Sequence, residues 1–271
     1  KAFHYSVVLG LADNTTKVTK YNNDNKTLGT PYEGQQLGEI WGYVVDGLFK
    51  TDEEAENYPV NQSYVNNILN ISVKSQGLHA GDVKYVDLDG DNIISPTLSA
   101  NDVKDQKVIG NSLPRYTYSV RLAADWNGID FSALLQGVGR QHWYPNGETS
   151  LFWGPYARPY CTFIPKDFLT DVWSEDNPDA YFPRPRGYVA LDVNPRELSK
   201  PNTRYLQNVA YCRLKNVTVG YSLPRTWLCI WNVSGFILVE RIFLHSALYI
   251  VIILIRNMLG LLRAGKVVIR T

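Results

Sequence analysis

The sequence has little of what most catalytic or disulfide-stabilised domains contain. Its 271 residues include three cysteines and four histidines. Cys161, Cys212 and Cys229 are far apart and form no CxxC pair or Cys/His spacing, which argues against a disulfide scaffold and against a zinc site. A Ser/His/Asp order, an HExxH motif and a phosphate-binding glycine loop are all missing. We therefore expect this chain not to be an enzyme.

Net charge is also nearly absent. The formal net charge is +1, with acidic and basic residues mixed along the chain, so there is no electrostatic basis for binding nucleic acid. No charged n-region or apolar h-region of a signal peptide is visible. The sequence begins at Lys1, and its single methionine is Met258. We expect the chain to be a fragment of a longer protein.

Aromatic residues are plentiful, with 18 tyrosines and 7 tryptophans among Asn, Thr, Ser and Gly, a composition typical of β-sheet. The clearest pattern is the alternation of apolar and polar residues from Tyr116 to Trp126. Asn127 and Gly128 follow, the dipeptide that favours a two-residue type I′ turn. Alternation then resumes from Ile129 to Leu135. This pattern predicts a β-hairpin.

Two further segments show the same alternation. In the first, near the N-terminus, the residues of one face are Phe3, Tyr5, Val7, Leu9 and Leu11. In the second, they are Val217, Val219, Tyr221 and Leu223. Just before the second segment the phase is reversed, because Cys212 and Leu214 are apolar, and we predict a β-bulge near Asn216.

Strand and loop lengths favour a membrane barrel. Soluble strands average about five or six residues, whereas a strand that crosses a bilayer needs about nine to eleven. Tyr116–Trp126 reaches that length and carries aromatics at both ends, although the hairpin alone fits a soluble sheet equally well. Residues 138–201 show no sustained period, and long loops opposite short turns are typical of outer-membrane barrels. The predicted fold class is all-β: part of a transmembrane antiparallel β-barrel with long external loops, incomplete in this chain.

One acidic motif is compatible with cation binding. Asp87, Asp89 and Asp91 alternate around Gly90, as at the start of a calcium loop. Leu98 stands where such a loop needs a bidentate glutamate. A turn held by Asx-type hydrogen bonds is therefore the favoured interpretation, and weak calcium binding is the alternative. No other cofactor is expected.

Four aromatic residues of the long loop are candidate substrate contacts, because such rings stack on sugars and on peptide side chains. They are Trp143, Tyr144, Trp153 and Tyr156. Packing within the loop explains them equally well.

Five segments together resemble the SusC/RagA family of TonB-dependent outer-membrane transporters. They are GEIWGYVVDGLFKTDEEA (Gly38–Ala55), GDVKYVDLDGDNIIS (Gly81–Ser95), VIGNSLPRYTYSVRLAADWNGIDFSALLQGVG (Val108–Gly139), FLTDVWSEDNPDAYFPR (Phe168–Arg184) and YLQNVAYCRLKNVTVGYSLP (Tyr205–Pro224). Their order and spacing are similar to the C-terminal part of that family's barrel. The resemblance covers residues 1–227, which we assign to a TonB-dependent receptor β-barrel.

The resemblance implies import of oligosaccharides or peptides across the outer membrane of a Gram-negative bacterium of the Bacteroidetes type. It also implies an SusD-like surface lipoprotein as partner, contact with outer-membrane lipid, and coupling to the TonB complex through an N-terminal part that this chain lacks. We expect the fragment to be inactive alone, because open sheet edges are not tolerated in lipid. The alternative function is a secreted calcium-dependent β-sandwich or lectin-like binding module that uses Asp87, Asp89 and Asp91.

Residues 228–271 differ from everything before them. The segment is strongly apolar, yet it contains charged residues that cost about 2.5–3.5 kcal/mol each at the centre of a membrane helix. When the codons from Trp231 onward are read in a shifted frame, the product resembles the GEN and DPE elements that the family carries next. We predict that 228–271 is an out-of-frame tail without a native fold, and a true C-terminal helix is the alternative. Sequencing the DNA across these codons tests the prediction.

Overall fold

A computed structural model describes residues 2–65, 77–146, 149–156, 164–185, 197–222, 241–246 and 250–253. In these ranges the strands are β1 (His4–Ala12), β2 (Glu39–Tyr43), β3 (Val45–Leu48), β4 (Val83–Tyr85), β5 (Gln106–Asn111), β6 (Arg115–Trp126), β7 (Ile129–Arg140), β8 (His142–Trp143), β9 (Gln207–Asn208), β10 (Tyr211–Ser222), β11 (Arg241–Ser246) and β12 (Ile250–Ile253). The helices are short: α1 (Asp52–Glu56), α2 (Ser150–Trp153) and α3 (Phe168–Asp171).

The four longest strands form one antiparallel sheet in the order β1-β6-β7-β10, which we call the wall sheet. The hairpin between β6 and β7 turns at Asn127 and Gly128, whose φ angles are 50° and 91°. Positive φ at both central residues is what a type I′ turn requires, and the predicted hairpin is confirmed. The pairing of β10 with β7 shifts register between Leu214 and Asn216, which confirms the predicted bulge.

One face of the wall sheet is apolar across all four strands. Cross-strand pairing aligns its side chains in rows, of which two examples are Tyr5–Ala124–Phe131–Val219 and Leu9–Val120–Leu135–Leu214. Many of these side chains are exposed, among them Leu9 at 73% and Trp126 at 56%. Within the described residues no second sheet covers this apolar face, so the packed layer that a β-sandwich needs is missing there.

Aromatic residues lie near both ends of the apolar face. Trp126 and Tyr221 lie in one row at the hairpin-turn end, next to the row of Tyr5 and Phe131. Tyr118 lies near the opposite end. Two aromatic girdles separated by aliphatic rows are the pattern of strands that face lipid between two membrane interfaces.

Both long connections leave the same end of the wall sheet. Ala12 at the end of β1 pairs with Thr117 near the start of β6, and Arg140 at the end of β7 pairs with Arg115. We call the described parts of connections 13–114 and 141–210 the cap. The second connection was predicted as a long loop, whereas no pattern in the sequence identified the first as one.

The cap is a packed unit rather than a set of separate loops. It contains the β2–β5, β3–β4 and β8–β9 pairs. The two connections are joined by backbone bonds, because Tyr43 N donates to Pro201 O at 2.9 Å and Thr203 N donates to Tyr43 O at 3.0 Å. Its hydrophobic core draws on both connections: Tyr43, Leu48, Val65, Val83, Tyr85, Ile94, Trp153, Tyr156, Phe168, Val172, Phe182, Leu198 and Tyr205.

Local sequence explains α1, the helix that the described part of the first connection contains. Thr51 caps α1, accepting a hydrogen bond from Glu54 N at 3.1 Å. Glu54 in turn accepts one from Lys50 N at 2.9 Å. This exchange is close to a capping box: it satisfies the Glu54 amide, which the first helical turn leaves unpaired, and the Lys50 amide just before the cap. No helix in the described ranges is long and apolar enough to cross a membrane.

Of the predicted out-of-frame tail, only β11 and β12 are described. Both pair antiparallel with β10, β11 along Val217–Ser222 and β12 along Tyr211–Leu214. Backbone amides and carbonyls are common to nearly all residue types, so this pairing does not test the reading frame, and the tail stays a prediction. Cys161 and Cys229 lie outside the described residues, and Cys212 is a half-buried free thiol.

Candidate functional site

Two of the four predicted aromatic contacts are core residues of the cap. Trp153 is 0% exposed, and its ring centroid lies 5.2 Å from that of Tyr205. The Trp153 Nε1 donates to the carbonyl oxygens of Pro145 and Asn146. Tyr156 is 2% exposed and donates its hydroxyl hydrogen to Pro183 O. Neither ring has surface left for a ligand, so direct stacking on substrate by these two does not fit the structure.

The other two aromatics lie nearer the surface. Tyr144 is half-buried; its hydroxyl donates to Leu198 O and accepts from Asn202 Nδ2, both at 2.9 Å. Trp143 is 42% exposed and contacts Phe152 edge to face, with ring centroids 6.4 Å apart. Trp143 is therefore the aromatic of the predicted set that is placed to meet a ligand, and its role stays a prediction.

The acidic motif folds as a tight turn in the cap. Asp87 accepts hydrogen bonds from Gly90 N and Asn92 N, both at 2.7 Å, and Asp91 accepts one from Ile93 N at 2.8 Å. Gly90 and Asn92 both have positive φ, which these residue types tolerate. These are the Asx-type bonds that the sequence favoured.

The structure groups different carboxylates from those that the spacing suggested. Ligand atoms of Asp87, Asp89 and Asp105 lie within 4.8 Å of one another, and Asp91 is not part of this cluster. Asp105 is fully buried and accepts from Leu88 N and Ser95 N at 2.8 and 2.7 Å. Its sequence distance from the motif explains why no spacing pattern could identify it.

Neighbouring charges affect the affinity of this carboxylate cluster for a cation. Burial raises the pKa of Asp105, and the negative charges of Asp89 and Asp87 add to this effect. Hydrogen bonds from backbone amides, first that of Gly90, lower the pKa of Asp87. The ammonium of Lys104 lies 3.5 Å from Asp89 Oδ2, where it already offsets part of the negative charge. Any cation affinity should weaken as falling pH protonates Asp105.

A pair of substitutions separates the structural cluster from the sequence motif. We expect Asp89→Asn to weaken any calcium binding, because the cluster loses one of three charged ligands. Asp91→Asn should leave it unchanged. Equilibrium dialysis with ⁴⁵Ca measures both. If Asp91→Asn alone weakened binding, the calcium ligands would be Asp87, Asp89 and Asp91, as the sequence motif suggested. If neither the unsubstituted chain nor the variants bound calcium, the cluster would be only a hydrogen-bonded turn.

The wall sheet and the cap together define a class of protein. Long strands with one exposed apolar face, a two-residue turn at one end and large structured connections at the other are features of an outer-membrane β-barrel segment. We therefore expect the relatives of this chain to be barrel proteins with large surface loops.

Comparison with known proteins agrees with that class. No family model matches the chain. Three receptors of Formosa agariphila are similar in sequence: TonB-dependent receptor P39 is 27% identical over 250 residues, P26 26% over 153 and P3 25% over 201. These alignments cover 80%, 53% and 72% of this chain, but only 21%, 13% and 16% of the receptors. The chain thus spans about a fifth or less of the relatives it matches.

Solved structures match the fold. The RagAB peptide importer in its open-open state aligns over 89% of this chain and 22% of the importer chain, with a TM-score of 0.52 and 16% sequence identity. A second RagAB peptide transporter structure gives the same score over 90% of this chain. The resemblance to TonB-dependent receptors of the SusC/RagA type is confirmed, and so is the predicted fold class, an incomplete part of an all-β barrel.

Proposed function

We propose that this chain is the C-terminal part of a TonB-dependent importer that carries nutrients across a bacterial outer membrane. The observation that carries the proposal is the exposed apolar face of the wall sheet, which spans four strands and is bounded by aromatics. Burial of such a face in lipid is favourable at about 25 cal/mol per Å² of apolar surface. In water the same face would promote aggregation.

The cap supplies the part that meets substrate and partner. It extends from the sheet end opposite the hairpin turn, where outer-membrane barrels carry their external loops. We propose an SusD-like lipoprotein as its partner and an oligosaccharide or a peptide as the substrate, with Trp143 as a candidate contact. A Bacteroidetes-type outer membrane is in keeping with the Formosa relatives.

Transport requires more chain than is present here. With β11 and β12 the described sheet has six strands, whereas the smallest outer-membrane barrels have about eight. The outer edge of β1 carries amides and carbonyls that no strand of the described residues pairs, and lipid cannot satisfy them. We therefore propose that the fragment is inactive alone and acts as part of a longer protein that supplies the remaining strands and the TonB-contacting segment.

Tryptophan quenching tests whether the apolar face meets lipid. We reconstitute the protein into vesicles of phosphatidylcholine whose acyl chains are brominated near the headgroup. We expect the bromine to quench Trp126, because Trp126 is exposed on the apolar face. The variant Trp126→Phe should show a smaller quenched fraction of the total fluorescence. The measurement is the difference in emission between vesicles of brominated and of unbrominated phosphatidylcholine.

Trp143→Phe is the matched control, since Trp143 is similarly exposed but lies in the cap. Its loss should not reduce the absolute amount of fluorescence that bromine quenches. If the chain remains monomeric in water without lipid or detergent, or if the two variants lose quenching equally, the membrane assignment is wrong.

A further inference from the structure

The polar face of the wall sheet has its charges separated along the strands. This face carries four arginines from three strands, which we call the arginine patch: Arg115 and Arg140 at the cap end, Arg213 two rows further along the strands, and Arg121 one row beyond it. At the hairpin-turn end it carries Asp125 and Asp130. Arg115 and Asp125 are ten residues apart on β6, about 34 Å at the usual strand rise.

Two arginines of the patch are direct neighbours. Arg115 and Arg140 occupy paired positions on β6 and β7, and like charges directly opposite each other are destabilising. Asp13 offsets one of them, because its two oxygens accept from Nε and Nη2 of Arg115. Among the described residues no carboxylate forms an ion pair with Arg140. One positive charge of this pair is therefore left unbalanced.

Arg213 has a donor without an acceptor. Its guanidinium lies 5.0 Å from the ring centroid of Tyr211, while its Nε is buried and makes no hydrogen bond within the described structure. Leaving a buried donor unsatisfied costs free energy. On the β7 side Arg213 pairs with Gln136, whose own partner on β6 is Ser119, and on its other side it pairs with Val251 of β12. An anionic group next to these paired residues would therefore meet the charged guanidinium of Arg213 and the neutral polar side chains of Gln136 and Ser119.

The space beside the paired arginines has the size of a functional group. A cleft of about 130 Å³ is lined by Arg115, Arg140, Gln36 and Asn111 together with apolar residues of β5. At about 30 Å³ per water molecule, it holds roughly four waters. That volume admits a carboxylate or a sulfate, but not the whole of a large ligand, so the cleft suits one anionic group of a longer molecule.

The opposite end of the polar face disfavours anions. Asp125 and Asp130 are paired across β6 and β7, and Asp130 Oδ2 is buried without a hydrogen bond within the described residues. His4 Nδ1 lies 2.8 Å from Asp125 Oδ2. An anion that approaches along this face is therefore attracted at the cap end and repelled at the turn end.

We propose that the arginine patch binds soluble ligands that carry carboxylate, sulfate or phosphate groups. The proposal rests on the proposed function in one respect: the polar face must line an aqueous interior. Lipid headgroups are not the source of these anionic groups, since the lipid-facing side chains alternate with the patch and point to the other face. On this proposal the substrates of the importer are anionic oligosaccharides or peptides.

Citrate is a suitable probe of the patch. The ¹⁵N-labelled chain is titrated with citrate in non-ionic detergent micelles, and the arginine Nε–Hε resonances are recorded. We expect shifts of Arg121, Arg140 and Arg213, an affinity that falls as sodium chloride is added, and no response to glycerol. Arg213→Gln and, separately, Arg140→Gln should each weaken the affinity about three- to fivefold.

Lys166→Gln removes the same charge from an exposed position of the cap and should leave citrate affinity unchanged. Arg140 is exposed, so its variant keeps the test valid if Arg213→Gln misfolds. The absence of citrate-dependent shifts, or equal weakening by Lys166→Gln, would overturn the proposal. If Trp126 is quenched by brominated lipid but citrate does not bind, the anion site alone fails. If citrate binds to a chain that is monomeric in water without detergent, the site stands and the importer assignment fails.

Discussion

Replacing Trp153 by alanine should destabilise the cap by about 3–5 kcal/mol, the usual cost of truncating a buried tryptophan. The indole is fully buried between Tyr205, Phe152 and Phe182, with ring centroids 4.8 to 6.4 Å away. Its removal leaves a cavity and two carbonyl oxygens without their N–H donor. Pulse proteolysis over a urea series measures the effect, because the cap connections become cleavable when they unfold.

Trp143→Ala is the control for this experiment, since it removes the same side chain from a position that is 42% exposed. We expect it to change the urea midpoint much less. Equal effects of the two substitutions would mean that the cap has no cooperative core. For Trp143, the effect of the substitution on ligand binding is more informative than its effect on stability.

Gly137→Val should destabilise the wall sheet by about 1–3 kcal/mol, the usual cost of overpacking. A Cβ at Gly137 would collide with the ring and hydroxyl of Tyr118 and with the carbonyl oxygen of Tyr211. Tyr118 lies across this glycine, and its hydroxyl donates to Tyr211 O at 3.3 Å. A side chain at 137 must displace both the ring and the hydrogen bond that joins β6 to β10.

Gly10→Val provides the comparison within the same sheet. A Cβ at Gly10 would contact only Ser119 Oγ, the end of a side chain that can rotate away. The denaturant midpoint of both variants in detergent micelles, followed by far-ultraviolet circular dichroism, gives the difference. Tolerance of valine at 137 would show that Tyr118 does not pack across the glycine.

The two faces of the wall sheet have separate consequences for function. The apolar face supports the membrane assignment, whereas the polar face, with aspartates at the turn end and most of its arginines nearer the cap, carries the proposed anion site. Because side chains alternate between the faces, a one-residue register shift would exchange them. The bulge between Leu214 and Asn216 is what keeps β10 in phase with β7 on both sides of the break.

The sequence by itself determined the local features of this protein. Alternation from Tyr116 to Trp126, the Asn127-Gly128 turn and the phase reversal near Asn216 predicted the hairpin and the bulge, because strand period and turn φ are properties of adjacent residues. The order of the motifs predicted the class of relatives. These predictions needed no knowledge of contacts between distant residues.

Only the tertiary structure decided which distant residues meet. It joined Asp105 to Asp87 and Asp89 in place of Asp91, and it buried Trp153, whose aromatic type alone fits a core and a ligand site equally well. It also brought Arg115 of β6, Arg140 of β7 and Arg213 of β10 onto one face. The physical reason is that cross-strand pairing and loop packing act between residues far apart in the chain, whereas a pattern in sequence reports only what neighbouring residues do.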